Sequence, residues 1–150
     1  MAATSQLENA IASVNVHVAA QLASYTLEFP GADLDTEAQT AWIRVDFLAA
    51  TRSFIRSVSS TEKGYLTYIP VSFNCFSKES DNSYRVLELR DAVFNAMKPM
   101  TSIDFTDHAG ASASLGTMTA WEVINDTPLE TRDGIRGHNI TISVRYEEQF

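Results

Sequence analysis

Asp104, Asp107 and His108 are the nearest approach to a chemical site in this sequence. Carboxylate oxygens and an imidazole nitrogen are ligands that divalent metal ions accept in proteins. Their spacing in DFTDHAG matches no established metal-binding pattern, and the same residues also suit a polar turn. The enzyme hypothesis that the sequence offers is therefore a small metal-dependent enzyme that uses these three residues.

The sequence also contains no recognisable pattern for a catalytic nucleophile. A serine hydrolase needs the pattern G-x-S-x-G, and the nearest segment, GASASLG, has its serines in the wrong frame. The single cysteine, Cys75, has no histidine beside it in sequence and lies in the apolar alternation VSFNCF, which predicts a small buried thiol. Neither a Gly-rich phosphate loop nor a dinucleotide fingerprint is present. We therefore expect no enzyme, no catalytic residue, no metal and no cofactor.

Length and composition indicate a single folded domain over residues 1–150. The hydrophobic share is 45% and the charged share is 20%, as in ordinary globular proteins. No apolar run approaches the roughly 18 residues of a membrane-spanning helix, and MAATSQLENA does not resemble a signal peptide. We expect a chain that stays in the cytoplasm where it is made and does not enter a membrane.

The net charge of -8 argues against nonspecific binding to a phosphate backbone, which requires basic patches. The charge is unevenly distributed, because residues 44–98 hold eight basic and six acidic residues between two acidic flanks. This distribution would suit like copies that meet through opposite charges. An ordinary solvated surface gives the same counts and remains the alternative.

Two helices are predicted from hydrophobic periodicity. The first covers about residues 5–23, where Ser5 and Glu8 form a capping-box pattern. The second follows the polar turn KESDNS, takes Asp81, Asn82 or Ser83 as its cap and ends before Pro99.

The rest of the chain predicts strands. AWIRVDFL alternates clearly, and the alternation continues to a turn at SSTEKG and returns through YLTYIPVSFNCF as a long hairpin. Pro70 cannot donate to a ladder, which predicts a sheet edge or a bulge for the returning arm. SIDFT, TMTAWEVIN and HNITISVRY follow, and the last two are separated by the polar segment DTPLETRDGIRG with a turn at Asp133 and Gly134.

The predicted fold class is α+β, with a mixed or antiparallel sheet, two helices on one face and a long protruding hairpin. The protruding hairpin and the polar loop are candidate contact surfaces for other proteins. The candidate interface residues are Arg52, Phe54, Arg56, Lys63, Arg132 and Arg136. The competing interpretation is an ordinary solvated surface.

The order of these elements resembles the tail terminator proteins of long-tailed bacteriophages. The similarity rests on a helix, a Pro-containing loop, a W-I-R-V-x-F-L strand, the hairpin returning through K-G-Y-L-T-Y-I-P-V-S-F-N-C-F, a short helix, and strands ending in I-T-I-S-V-R-Y. It extends over nearly the whole chain as a pattern of elements, without a unique motif.

The resemblance implies a structural protein of the virion tail or neck that forms a hexameric ring. Such a ring sits on the last ring of the tail tube protein, stops tube polymerisation and presents a surface to head-completion proteins. By the same resemblance, the hairpin would reach a neighbouring subunit and DNA would pass through the lumen without specific binding. An acidic lining would repel that DNA and let it slide. Another head-to-tail joining or minor tail protein is the closest alternative function.

Overall fold

The computed structural model describes residues 6–32, 34–57, 63–78, 84–108 and 114–149. Within these ranges, two helices and one mixed seven-stranded sheet form the predicted α+β fold. The elements are α1 (Gln6–Gln21), β1 (Leu27–Glu28), β2 (Ala41–Phe47), β3 (Thr51–Ser57), β4 (Lys63–Lys78), α2 (Arg85–Ala96), β5 (Ser102–Thr106), β6 (Ser114–Arg132) and β7 (Ile135–Gln149).

The strand order is β1-β2-β4-β7-β6-β5, and β3 also pairs with β4. Only β1 and β2 run parallel among the strand pairs of the described chain. At 16 residues, β4 is long enough to pair with β2 along one half and with β3 along the other. On its other side β4 pairs with β7 without a register shift, from Gly64 to Lys78. These two strands are the centre of the sheet.

Both helices cover the same face of the sheet. The alternation in β4 and β7 places Val71 opposite Ile142 and Phe73 opposite Ile140, and all four side chains are fully buried. The apolar stripes of α1 and α2 join them in one core. Each fully buried aliphatic or aromatic side chain contributes about 1.5–3 kcal/mol to folding. The two helices on one face were predicted correctly.

The hairpin of β6 and β7 turns through two residues. Asp133 and Gly134 have φ values of 51° and 73°, as the favoured two-residue hairpin turn requires. The predicted turn is confirmed, but the prediction of a polar loop over DTPLETRDGIRG is wrong, because strand structure continues to Arg132 and resumes at Ile135. The polar composition reflects strands that extend past the core with both faces in water.

Pro70 lies in a central strand, so its predicted place at an edge or a bulge is wrong. Its carbonyl accepts a hydrogen bond from the N–H of Leu48 at 2.9 Å, which shows that its backbone faces the bend between β2 and β3. In an antiparallel ladder, the N–H and C=O of one residue point to the same side. The side of Pro70 that has no N–H to donate therefore faces the gap between the end of β2 and the start of β3, where no strand requires a donor.

The helix ends agree with the predicted boundaries to within two or three residues. Helix α2 begins at Arg85 and ends at Ala96, ahead of Pro99. The residues predicted as caps, Ser5 in the first helix and Asp81, Asn82 or Ser83 in the second, lie outside the described ranges. Neither of the two described helices is long and apolar enough to cross a membrane.

Candidate functional site

The segment predicted as a possible metal site anchors the end of β5 to α1. The His108 Nε2 atom lies 3.2 Å from the Ser13 hydroxyl and 2.8 Å from that of Thr106, and the His108 N–H donates to Asn9 at 3.0 Å. Asp104 is exposed on β5. Across the described ranges, no three His, Cys, Asp or Glu side chains are close enough to hold one metal ion. These contacts satisfy Asn9 and Ser13, which are buried polar residues of α1.

A second group of titratable residues was missed in the sequence. His138 on β7 lies directly opposite Cys75 on β4. The His138 Nε2–H donates to Asp126 Oδ1 on β6 at 2.6 Å, and the Arg90 Nε–H on α2 donates to the same oxygen at 3.1 Å. A second Arg90 nitrogen contacts the other carboxylate oxygen. One carboxylate thus links α2 to the hairpin of β6 and β7.

The electrostatics of this group favour a structural role. The hydrogen bond from Arg90 is the largest cause that lowers the pKa of Asp126 to about 2, and the contact with His138 adds to it. The same contact with Asp126 raises the pKa of Arg90. Burial raises the pKa of Cys75 to about 12, so this thiol stays neutral, whereas a reactive cysteine needs a lowered pKa. The paired, charge-assisted hydrogen bonds between Arg90 and Asp126 hold α2 against the hairpin of β6 and β7.

The sequence does not give the register of this group within the hairpin. Counting residues back from the turn at Asp133 and Gly134 would place His138 opposite Leu129, but a register shift between Leu129 and Arg132 places His138 opposite Pro128 and brings it close to Asp126. The approach of Cys75 to His138 depends on pairing between β4 and β7, which are distant in sequence, and that register has no local signal.

The face of the sheet opposite the helices, called here the open face, carries a network of neutral polar side chains. The Asn139 amide donates to Ser72 and to Asn74, both at 2.8 Å. Its oxygen accepts from Asn125 at 2.6 Å and from Thr141 at 2.9 Å. Every donor and acceptor of the Asn139 side chain is thereby used, so the centre of the open face is polar, uncharged and ordered.

The sheet is strongly curled. A cavity of about 320 Å³ lies on its open face and receives side chains from β3 at one side and from β6 at the other. It is lined by Thr51, Ser53, Tyr68, Pro70, Glu122, Ile124 and Ser143. Four of the seven lining residues carry a hydroxyl group, and Glu122 supplies one carboxylate.

Long stretches of sheet edge without a paired strand in the described ranges include the outer side of β3 (Thr51–Ser57) and β6 beyond Ala120, where pairing with the β5 side ends. Helix α1 lies along β5, where Ser13 accepts from the N–H of Thr106 at 3.1 Å. Strand β1 pairs with Ile43 and Arg44 of β2. Exposed edges are surfaces on which another strand can add.

The predicted interface residues fall on these edges and on the hairpin tip. Arg52 is exposed on β3, and Phe54, Arg56 and Lys63 belong by backbone to β3 and the start of β4, with side chains outside the described part. Arg132 is exposed at the end of β6, 3.8 Å from Glu130, and Arg136 is half-buried near the start of β7.

These residues form two groups and not one patch. Arg52 pairs with Thr67 of β4, whereas Arg136 pairs with Ser77, ten positions further along the same strand. At about 3.3 Å per residue, the two groups are about 33 Å apart along the strand. A single small partner would not contact both groups, but a neighbouring subunit or a larger assembly could.

Comparisons with known proteins give similarity at the level of structure only. No protein-family model matches the chain, and no curated protein matches it. One similar solved structure is a protein of no stated function, with 14% sequence identity and a TM-score of 0.52. That match covers 89% of this chain and 92% of that chain, and it concerns the fold alone.

A second similar structure is the sheath/tube terminator of an extracellular contractile injection system, PVC, in its extended state, solved by cryo-EM. The identity is again 14%, the TM-score is 0.42, and the match covers 99% of this chain and 59% of the terminator. Neither likeness says what this chain does.

Proposed function

We propose that this chain is a structural protein of a phage-type tail. It forms a ring, expected to be a hexamer, on the last ring of the tail tube, stops polymerisation of the tube protein and presents a surface to head-completion proteins. It works in the virion neck and has no catalytic function.

One observation carries this proposal. In the described chain, the outer side of β3 and the outer side of β6 beyond Ala120 lie on opposite sides of the same sheet and carry no paired strand. Natural proteins usually cover or interrupt such edges because they invite other strands. Edges left open on opposite sides of one sheet are what a subunit needs in order to join neighbours on both sides.

Two further features support the same function. The order of elements resembles the tail terminators over nearly the whole chain. The open face carries neutral polar groups around Asn139 at its centre, and the net charge of the chain is -8. A ring with this face toward its lumen offers no basic patch that would hold DNA, so DNA would pass without binding.

The proposal is tested by assembly and by tube binding. Light scattering after size exclusion should detect an oligomer at high protein concentration, and the chain should cosediment with tail tubes built from the tube protein of the same virion. Some rings assemble only on the tube, so cosedimentation is the decisive result. A chain that stays monomeric, and that remains in the supernatant when the tail tubes are sedimented, contradicts the proposal. Binding to head-completion proteins but not to tubes would identify a head-to-tail joining protein.

A further inference from the structure

The cavity on the open face contains polar groups whose hydrogen-bonding capacity is not used within the chain. Its hydroxyl groups come from Thr51, Ser53, Tyr68 and Ser143, and its carboxylate comes from Glu122. None of these five side chains has a hydrogen-bond or ion-pair partner among the described residues. The polar network at the centre of the same face, in contrast, is internally satisfied. Converging polar groups without partners indicate a binding site.

Ser143 is the most informative of these residues. It lies on the central strand β7, opposite Pro70 of β4, and only 3% of its surface is exposed. Buried polar groups in folded proteins normally have a hydrogen-bond partner, because a buried hydroxyl without one costs free energy. Since the Ser143 side chain lines the cavity, a group that enters the cavity supplies the partner that this hydroxyl lacks.

The charge of the cavity favours a cation. Of the seven lining residues, Glu122 alone is charged, and it lies directly opposite Ser143 on the neighbouring strand β6. Arg145 follows on the same face of β7, but its guanidinium lies 3.4 Å from the centre of the Trp121 ring and forms no ion pair with Glu122 in the described chain. An anionic ligand would meet a like charge, and a neutral ligand would leave the carboxylate without a counter-charge.

A guanidinium group on an apolar stem matches this set of groups. It has five N–H donors in a planar fork, so it can bind a carboxylate through two of them and donate others to hydroxyl oxygens. An ammonium group has three donors and no fork. The stem of an arginine would rest against Ile124, 53% of whose surface is exposed, and against Pro70. Ligand pockets start at about 300 Å³, so this cavity suits one side chain and not a large cofactor.

We propose that the open-face cavity binds the guanidinium group of an arginine that a partner protein presents. Both helices pack on the other face of the sheet, so a protein can approach this face directly. The inference goes beyond the proposed function and does not depend on it, because the cavity would bind an arginine side chain whether or not the chain caps a tail tube.

Titration of the isotope-labelled chain with short peptides, followed by NMR, tests the site. The probe is a capped Gly-Arg-Gly tripeptide at constant ionic strength, and the matched ligand is Gly-citrulline-Gly, which replaces the guanidinium by a neutral group of nearly the same shape. The arginine peptide should shift the backbone amide signals of Glu122 and Ser143 and saturate in the millimolar range. The citrulline peptide should bind about tenfold more weakly, because it lacks the charge.

Substitutions in the cavity then test which side chains bind the peptide. Glu122→Gln should weaken binding of the arginine peptide by about tenfold, and Ser143→Ala by about threefold. The matched control is Glu130→Gln, which makes the same change in charge at an exposed position of the same strand outside the cavity, and it should leave the affinity unchanged. Unchanged amide spectra away from the cavity would show that each variant is folded.

Four results would overturn the proposal. Absence of any shift with the arginine peptide would show that the cavity does not bind it. Equal affinity for the citrulline peptide would show that charge is not recognised. Equal weakening by Glu122→Gln and Glu130→Gln would show a general charge effect and no specific site. Binding of free methylguanidinium but not of the peptide would show that the cavity accepts a small cation and not an arginine of a protein.

Discussion

Asp126→Asn should destabilise the fold by removing the charge that links α2 to the hairpin of β6 and β7. Folding lowers the pKa of Asp126 from 3.8 to about 2. At about 1.4 kcal/mol per pKa unit, the upper limit of this contribution is about 2.5 kcal/mol. The side chain is 30% exposed, and solvent screening reduces the expected loss in free energy of unfolding to about 1–2 kcal/mol.

The loss in free energy of unfolding caused by Asp126→Asn should become smaller at low pH. A carboxyl group whose pKa is lowered by folding stabilises the protein above its unfolded pKa, here about 3.8, and loses that contribution as the pH falls toward about 2. The difference between the natural chain and Asp126→Asn should therefore be complete at pH 7 and fall to about half at pH 3.

Urea denaturation followed by circular dichroism at pH 7 and pH 3 measures both effects. Asp91→Asn is the matched control, because Asp91 also contacts Arg90 but is 67% exposed, and its loss should stay below about 0.5 kcal/mol. Equal losses for the two variants, or a loss in Asp126→Asn that does not shrink at pH 3, would refute the assigned role of Asp126.

Two substitutions and one labelling experiment probe the core and the open face. Asn139→Ala removes four hydrogen bonds and should cost about 1–3 kcal/mol of unfolding free energy, measured by urea denaturation, and a neutral result would contradict the network. Gly137→Ala would place a Cβ 3.0 Å from the Leu129 Cβ and should lower thermal stability by about 1–3 kcal/mol, so an unchanged melting temperature would contradict the close packing. The Cys75 thiol should react with a thiol reagent only when the chain unfolds, and rapid labelling of the folded protein would show that it is not buried as described.

Local signals in the sequence predict the central sheet well. The alternation through Val71 and Phe73, and again through Ile140 and Ile142, places the helix-covered face correctly, because side chains in a strand point to opposite faces in turn. The turn at Asp133 and Gly134 is equally local, since its left-handed backbone favours these residue types.

Features that depend on distant pairing could not be predicted in the same way. Pro70 is acceptable in a central strand only because β2 and β3 share one side of β4 and leave a gap there, which no local pattern reveals. The two-residue strand β1 is likewise stabilised by its parallel neighbour β2 and not by its own sequence. The position of His138 opposite Cys75 has the same origin, because it depends on pairing between β4 and β7, which are distant in the sequence.

The candidate interface contains residues whose exposure was predicted from the sequence and an edge that was not predicted. Arg52 and Arg132 were recognised as residues of protruding segments, and the structure places both on exposed positions. The outer side of β6 beyond Ala120 could not be recognised as an open edge, because it becomes one only through the order of strands in the sheet.

The ends of tail tubes provide the most direct test of the proposed function. Tubes assembled from the tube protein of the same virion, with and without this chain, would be imaged by electron microscopy for length and for extra density at the ends. The proposal predicts shorter tubes that each carry a ring of this protein at one end and no longer elongate when tube protein is added. Tubes that elongate equally with and without the chain, and ends that carry no added density, would contradict it.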